Sequence, residues 1–355
     1  MSEDFKYLYS KASEQGNAIA QCKLGVCYYH GRGVKRDYAK AAEWYTKAAE
    51  QGNAIAQCNL GDCYYYGRGV EQDYAKAVEW YTKAADQGNA IAQCNLGYCY
   101  YYGRGVEQNY AKAAEWYTKA AEQGNAKAKL YLGNCYYYGR GVEKSQQKAI
   151  KWYTEAAEQG NAEAQFILGE LYEELYGTDP EDGEGLAWIM KAAEQGHAKA
   201  LVKMGDYFLE GFRVEKDEEK AFELYSKAAG KNYNEAQYRV GKCFEEGTGV
   251  IYKNYVKAFE WYLKAAKRGH VGAQFSIGEC YYTGAGVKQD FYKAVKWYTK
   301  SSKKGNILAK YALSVCYEYG HGVKMNKEKA KKIYSDVEDV YMKAEDSMFE
   351  SLYDD

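Results

Sequence analysis

The chain has 355 residues, and its charges almost cancel: 48 Lys and Arg stand against 49 Asp and Glu, for a formal net charge of −1. A surface with this balance has no long-range positive field for phosphate backbones, so we expect no nucleic-acid partner. No stretch approaches the roughly 18 apolar residues of a membrane span, and the acidic start MSEDFKYLYS lacks the features of a signal peptide, so no membrane partner is expected.

The sequence repeats itself with a period of 36 residues. The segment that begins at Gly52 returns from Gly88 with four substitutions, and one step of 37 residues is the single departure from the period. Such fixed periods indicate units that bury their apolar faces by stacking on one another. The nine repeats, numbered 1 to 9 below, start at Gly16, Gly52, Gly88, Gly124, Gly160, Gly196, Asn232, Gly269 and Gly305.

Each repeat is predicted to form two helices. In repeat 2 the first helix runs from about Asn53 to Tyr66, with apolar residues spaced i, i+4, i+8, and Gly67 ends it because glycine adopts the left-handed conformation of a helix C-cap. The second helix starts near Asp73, a suitable N-cap residue, and stops at the next Gly. Two helices of this length with short turns predict an antiparallel hairpin.

The ends of the chain depart from the repeat. Residues 1–15 look like the second half of a repeat, and residues 329–355 become a charged helix with an acidic tail. Because terminal repeats expose their stacking faces, we predict that these segments cap a solenoid of residues 16–328.

The repeat resembles a known family. The pattern A-x-x-x-L-G-x-x-Y-x-x-G-x-G-V-x-x-D-x-x-K-A-x-x-W-Y-x-K-A-A-x-x-G, read from Ala56 to Gly88, is similar to the Sel1-like repeat, a relative of the tetratricopeptide repeat. The resemblance covers nearly the whole chain. It implies an all-α protein, a right-handed superhelical α/α solenoid of about nine 36-residue helix-turn-helix repeats with N- and C-terminal capping helices. It also implies that first helices line the concave side and that the protein is an adaptor for protein complexes.

The tryptophans all occupy one position of the repeat. A large aromatic side chain can bury roughly 150–250 Å², which a thin two-helix layer needs, so we interpret them as core residues. They are Trp44, Trp80, Trp116, Trp152, Trp188, Trp261 and Trp297.

The ten cysteines also fall on repeat positions, all of them on first helices. Secreted members of the family carry disulfides between the two helices of a repeat, but here the second helices contain no Cys. Neither a C-x-x-C motif nor paired His accompanies the cysteines, so no metal is expected. We interpret them as buried free thiols, and together with the missing signal peptide they favour a cytoplasmic location, with signal-independent export left open.

Catalytic motifs are not apparent. Only four His occur, none recurring beside a Ser, Cys or acid, and the Gly-x-Gly turns follow helices where a nucleotide-binding motif would follow a strand. We therefore predict a non-enzymatic adaptor that binds a partner peptide or helix and needs no cofactor. A regulatory subunit or inhibitor that clamps an enzyme is the alternative, and an enzyme in its own right is a third.

The first helices vary where a partner would bind. Repeats 2 to 4 carry tyrosines there, and repeats 5 to 7 turn acidic, so an apolar or aromatic segment would meet the former and a basic segment the latter. The alternative is that the tyrosines pack on neighbouring repeats and the acids are solvated. The candidate residues are Tyr65, Tyr66, Tyr98, Tyr101, Tyr102, Tyr131, Tyr137, Tyr138, Glu170, Glu174, Asp206 and Glu210.

Two further features are open to two interpretations each. Arg32, Arg68, Arg104 and Arg140 share one turn position and would form an edge for anions or acidic partners, or else satisfy helix-end carbonyls or face solvent. The fifth repeat lacks its Gly-x-Gly turn and holds the chain's one Pro, Pro180, so it is either a hinge or a drifted copy.

Overall fold

The computed structural model describes residues 3–176 and 183–350, and within them it contains nineteen α-helices and no β-strand. The chain divides into two compact units, residues 1–178 and 179–355, which are described separately. The hinge predicted for the fifth repeat falls mainly on residues 177–182, which lie outside the described residues.

The first unit is a stack of helix pairs. In each pair the first helix packs on the second, which packs on the first helix of the next pair. The helix α1 precedes the first pair and covers α2 with Phe5 and Ala12, both buried. The helices are α1 (Glu3–Ser13), α2 (Ala18–His30), α3 (Tyr38–Glu50), α4 (Ala54–Tyr66), α5 (Tyr74–Asp86), α6 (Ala90–Tyr102), α7 (Tyr110–Glu122), α8 (Ala126–Tyr138), α9 (Gln146–Glu158) and α10 (Ala162–Tyr176).

The second unit is built in the same way and ends in the longest helix, α19, which buries Ala330 and Val337. The helices are α11 (Glu184–Glu194), α12 (Ala198–Glu210), α13 (Glu218–Gly230), α14 (Asn234–Glu246), α15 (Tyr255–Lys267), α16 (Val271–Thr283), α17 (Phe291–Ser302), α18 (Ile307–Tyr319) and α19 (Lys327–Glu350). The predicted all-α solenoid of stacked helix pairs is thereby confirmed.

The helix ends follow the local signals in the sequence. Asn53 and Asp73 are N-caps: the Asn53 side chain accepts a hydrogen bond from the backbone N–H of Ala56 at 2.9 Å, and Asp73 caps α5 in the same way. In repeats 6 and 8 the N-cap is His197 or His270, whose Nδ1 takes the place of the Asn oxygen. These two histidines are therefore accounted for as capping residues.

In six repeats, the second glycine of the Gly-x-Gly turn lies against the preceding repeat. Gly105 has φ +74, and a Cβ built on it would overlap the carbonyl oxygen of Tyr74 and lie 2.8 Å from the backbone nitrogen of Ala75. The turn after one first helix therefore touches the start of the second helix one repeat earlier. Only glycine fits this position, because both the backbone conformation and the close approach exclude a side chain.

At the centre of seven of the nine helix pairs, a tyrosine faces a glycine. Tyr81 is 1 % exposed, and its ring lies so close to Gly61 that a Cβ there would be 2.6 Å from Cδ1 of the tyrosine. Each such pair brings a first helix close to its second helix. The facing pairs are Tyr45 and Gly25, Tyr81 and Gly61, Tyr117 and Gly97, Tyr153 and Gly133, Tyr225 and Gly205, Tyr262 and Gly241, and Tyr298 and Gly278.

The tryptophans lie beside this core and are less buried than predicted. Trp44 is buried, but the other six are half-buried, and Trp80 packs against the core of the preceding repeat from its edge. In six of the seven cases the ammonium group of the Lys three residues later lies 3.9–4.4 Å from the ring centroid. The interpretation of all seven as core residues was therefore wrong for six of them, which are only half-buried. The centre of the pair is filled by the tyrosine directly after the tryptophan.

All ten cysteines are free, nine of them are buried, and Cys27 is half-buried. Burial raises the pKa of Cys63, Cys94 and Cys135 to about 12, because a thiolate is poorly solvated in the apolar interior. The thiols act as small apolar side chains of the first helices, as the sequence predicted.

The reactivity of these thiols should follow their burial. At about pH 8 we expect N-ethylmaleimide to modify Cys27 first and the nine buried thiols at least about 100-fold more slowly, because the thiolate is the reactive form. Mass spectrometry counts the adducts over time, and the guanidinium-unfolded chain, in which all ten should react, is the control. Several thiols reacting as fast as Cys27 in the folded chain would contradict this burial.

Candidate protein-binding face

One side of each first helix in the first unit is partly or fully exposed. On α4 this side carries Ile55, Asn59, Asp62 and Tyr66, spaced i, i+4, i+7, i+11, which is the spacing of one helix face. The same four positions recur every 36 residues on α2, α6, α8 and α10. We call this surface of the first unit the first-helix face.

A row of exposed tyrosines runs along the C-terminal end of this face. Tyr66, Tyr102 and Tyr138 end α4, α6 and α8, and they are 54 %, 51 % and 58 % exposed. Each ring rests on the ring of the tyrosine before it, with centroids 4.9–5.0 Å apart. The rings are therefore exposed and at the same time held in position.

The tyrosines one position earlier belong to the core. Tyr65 and Tyr101 are 7 % and 8 % exposed, and Tyr137 is half-buried. Consecutive residues on a helix point about 100° apart, so when Tyr66 faces outward Tyr65 turns toward the second helix, where its ring meets Tyr74. Tyr65 and Tyr101 are therefore packing residues, which was the alternative to a role in binding, and they offer little surface to a partner.

The row of arginines ties neighbouring repeats together. Arg68, Arg104 and Arg140 each donate a hydrogen bond from Nη1 to a tyrosine hydroxyl of the preceding repeat, on Tyr29, Tyr65 and Tyr101 respectively. Arg32 is exposed, and among the described residues no such bond is found for it. The sequence alternatives were a helix-end carbonyl, solvent or an anionic partner, and the link to a tyrosine 39 residues earlier was not foreseen.

The same arginines also flank the exposed tyrosines. The Arg68 guanidinium lies 4.8 Å from the ring centroid of Tyr66, and that of Arg140 lies 5.1 Å from the ring of Tyr138. Arg68 and Arg140 remain exposed. Each exposed ring is therefore paired with a cation that the tyrosine of the previous repeat fixes in place.

Repeat 9 uses a histidine where repeats 2 to 4 use arginine. His321 occupies the position of Arg104, and its Nδ1 lies 2.8 Å from the hydroxyl of Tyr282, the equivalent of Tyr65. The His321 ring also stacks on Phe291, with centroids 4.7 Å apart. The link between neighbouring repeats is thus kept in the second unit with a different side chain.

A cavity of about 180 Å³ opens on the first-helix face between repeats 2 and 4. Its walls are mostly aromatic, and Tyr98 stands in the middle, with its ring 4.5 Å from that of Tyr102 and 5.8 Å from that of Tyr131. The space suits one side chain of a partner protein. It is lined by Tyr65, Tyr66, Tyr81, Asn95, Tyr98, Arg104, Lys127 and Tyr131.

The polar groups beside this cavity are already paired. The Tyr81 hydroxyl donates to Oδ1 of Asp62 at 2.6 Å, and the Asn95 side chain donates to the same oxygen at 3.1 Å. Burial raises the pKa of Asp62 above its usual range, although the bond from Tyr81 acts in the opposite direction. Asp62 therefore supports the wall of the cavity, and the cations Arg104 and Lys127 are the charged groups that line it.

The predicted acidic residues have different surroundings. Glu170 and Glu174 are exposed on α10 in the first unit, and Glu210 is exposed at the end of α12 in the second. Asp206 accepts a hydrogen bond from the Tyr225 hydroxyl at 2.6 Å and lies 3.4 Å from Arg239. Its carboxylate therefore binds side chains within the second unit.

The first-helix face also carries a row of exposed isoleucines that was not predicted from the sequence. Ile19, Ile55 and Ile91 stand at the second position of α2, α4 and α6 and are 58–60 % exposed. They lie at the opposite end of the face from the exposed tyrosines. The helical spacing from Ile55 to Tyr66 is the signal that indicates them, although this position does not vary among the three repeats that carry Ile.

No group of three or more His, Cys, Asp or Glu side chains in residues 3–176 and 183–350 is arranged to hold a metal ion. Over the same ranges, no helix combines the length and apolarity required to cross a bilayer.

These features define the chain as an α-helical repeat protein. The Sel1 repeat family model matches ten segments that together span residues 6–335, and the chain belongs to this family. Nine segments correspond to the nine repeats, shifted by two residues, and the tenth, residues 6–17, covers most of the predicted N-terminal half repeat. The resemblance seen in the sequence is confirmed.

Solved structures give the same result. The chain is 37 % identical to c5321, described as a protective antigen of uropathogenic Escherichia coli with an SLR fold; the match covers 93 % of this chain and 70 % of that one, with a TM-score of 0.70. A Sel1 repeat protein from Oxalobacter formigenes is 31 % identical over 89 % of this chain and 90 % of its own, with a TM-score of 0.61. No curated protein matches the chain.

Proposed function

We propose that the protein is a non-enzymatic interaction scaffold that binds a peptide or helix of a partner protein on the first-helix face. The observation that carries the proposal is the row of Tyr66, Tyr102 and Tyr138, three exposed rings at one repeat position on consecutive first helices. Membership of the Sel1 repeat family supports it, because proteins of this family are in general interaction scaffolds.

The chemistry of the face suits a protein ligand. Tyrosine offers a large, rigid contact area with a polar tip, and here neighbouring side chains already hold the rings in place, so little rotamer entropy is lost on binding. The isoleucine row adds apolar area on α2 and at the other end of α4 and α6. An apolar or aromatic segment, with acidic residues near Arg68, Arg104 and Arg140, is the partner that matches these groups.

We propose a cytoplasmic location for the protein on the basis of its free thiols. Ten free cysteines persist most readily in a reducing compartment, which is why we place the protein in the cytoplasm. A regulatory subunit or inhibitor that clamps an enzyme would use the same face, and the identity of the captured partner separates it from an adaptor.

The test is affinity capture from lysate with three matched chains, read by mass spectrometry. We expect the intact chain to retain a partner and the variant Tyr66→Ala/Tyr102→Ala/Tyr138→Ala to lose it by at least about 10-fold, since central aromatic residues dominate interfaces. The control replaces three exposed tyrosines of the second unit, Tyr252, Tyr255 and Tyr292, by Ala and should capture as the intact chain does.

Circular dichroism of all three chains separates binding from folding. Unchanged helicity with lost capture supports the proposal, since the replaced rings are exposed. Equal capture by the first variant and the intact chain would contradict the use of this face. Loss of helicity in the first variant would contradict the description of its three tyrosines as surface residues.

A further inference from the structure

Repeat 6 lacks the tryptophan that seven of the nine repeats share, and Leu224 stands in its place on α13. At this point of the second unit, a cavity of about 570 Å³ opens between α11, α12 and α13. In repeat 8 the equivalent Trp297 packs against the core formed by α15 and α16, the two helices that precede its own. The cavity in repeat 6 thus lies where a tryptophan ring would lie.

The walls of the cavity are apolar. Leu201 and Met204 of α12 are 3 % exposed and line it, Phe208 is half-buried, and Met190 of α11 lines the opposite side with 43 % of its surface exposed. Leu201 replaces the buried glutamine that six of the nine repeats carry at this position, so a polar group is also missing from the wall. Space of this kind favours an apolar ring over water.

The edge of the cavity carries the lysine that in other repeats lies over the tryptophan ring. Lys227 follows Leu224 by three residues, as Lys264 and Lys300 follow their tryptophans, whose ring centroids lie 3.9 and 4.3 Å from the ammonium groups. Lys227 has no ring beneath it and lies 2.5 Å from the carboxylate of Glu223, which also meets Lys220 at 3.4 Å. These two lysines, Lys231 and Glu194 are the charged groups that line the cavity.

We infer that this cavity is a binding site for an aromatic ring of indole size, presented as a tryptophan side chain by a partner protein. The ring would bury apolar surface against Leu201, Met204 and Leu224, and its face would meet Lys227 as the internal tryptophans meet their lysines. Met190 and Met204 can adjust to the incoming ring because their side chains are flexible and polarizable. Tryptophan is also the side chain most enriched at the energetic centres of interfaces.

The site is separate from the first-helix face. Every residue that lines it belongs to the second unit, and Leu224 and Lys227 come from a second helix. The inference therefore does not depend on the proposed function, and either can fail alone.

The test is titration of the full chain, labelled with ¹³C-methyl methionine, with N-acetyltryptophanamide as the probe. Only six methionines are present, and two of them, Met190 and Met204, line the cavity. We expect these two methyl signals to shift with a Kd on the order of 1 mM, as befits a single side chain, while the other four stay in place. N-acetylleucinamide should shift the same signals at least about 10-fold more weakly.

Two variants make the result specific. Leu224→Trp restores the residue found in other repeats and should abolish the shifts, with an unchanged or higher Tm. Trp297→Leu should open an equivalent cavity in repeat 8 and add a second probe site, seen as about twice the probe bound per chain. If Trp297→Leu loses helicity, the result for Leu224→Trp alone decides whether the cavity binds the probe.

Three outcomes overturn the inference. The first is no shift of Met190 and Met204 in the intact chain at about 10 mM probe, well above the expected Kd. The second is equal binding by the intact chain and by folded Leu224→Trp. The third is equal affinity for the leucine and tryptophan probes, which would mark the cavity as a general apolar surface with no preference for a ring.

Discussion

Gly105→Ala should lower the free energy of unfolding of the first unit by about 3 kcal/mol, whereas Gly124→Ala should lower it by about 1 kcal/mol. Both glycines have positive φ, +74 and +87, so both substitutions strain the backbone. At Gly124 nothing lies within 4 Å of the added Cβ, but at Gly105 it meets the carbonyl group of Tyr74. The difference between the two variants therefore measures the close approach of neighbouring repeats.

Urea unfolding followed by circular dichroism provides the measurement, with the midpoint compared at constant slope. Hydrogen exchange should show the loss of protection in the Gly105 variant centred on α5, α6 and α7, since the turn after α6 packs on the start of α5. Equal midpoints for the two variants would show that the close contact between the turn and the preceding repeat does not contribute to the free energy of unfolding.

Tyr117→Ala should lower the free energy of unfolding by about 4 kcal/mol, and Trp116→Ala should lower it by about 2 kcal/mol, although Trp is the larger residue. Tyr117 is 1 % exposed and faces Gly97, so its removal leaves a cavity between α6 and α7 that the helices cannot close without moving together. Trp116 is half-buried at the edge of the preceding core, beneath Lys119. Its truncation exposes a surface that water can reach, which costs less than an internal void.

The two variants are compared by the same urea unfolding, with Tyr117→Phe as a control that keeps the ring. That control should stay within about 1 kcal/mol of the intact chain, because the volume is preserved. A larger loss of stability for Trp116→Ala than for Tyr117→Ala would restore the sequence-based view that the tryptophans form the core.

Much of the fold could be predicted because it depends on local signals. The period of 36 residues, the two helices of each repeat, the Asn and Asp N-caps and the glycines that end the first helices are all encoded within a few residues of where they act. The family resemblance rests on the same short patterns. For the candidate site, the exposure of Tyr66, Tyr102 and Tyr138 agrees with the helical spacing.

Other features depend on which neighbours fold against each residue. The sequence alone determined that this is an all-α repeat protein of nine helix pairs, because periodicity and capping are properties of the chain itself. Only the tertiary structure decided that Tyr117 and not Trp116 fills the core, that Tyr65 is buried while Tyr66 is exposed, and that Arg104 binds a tyrosine 39 residues earlier. Spacing along one helix gives the angle between side chains, but the direction of the neighbouring helix decides which of them is covered.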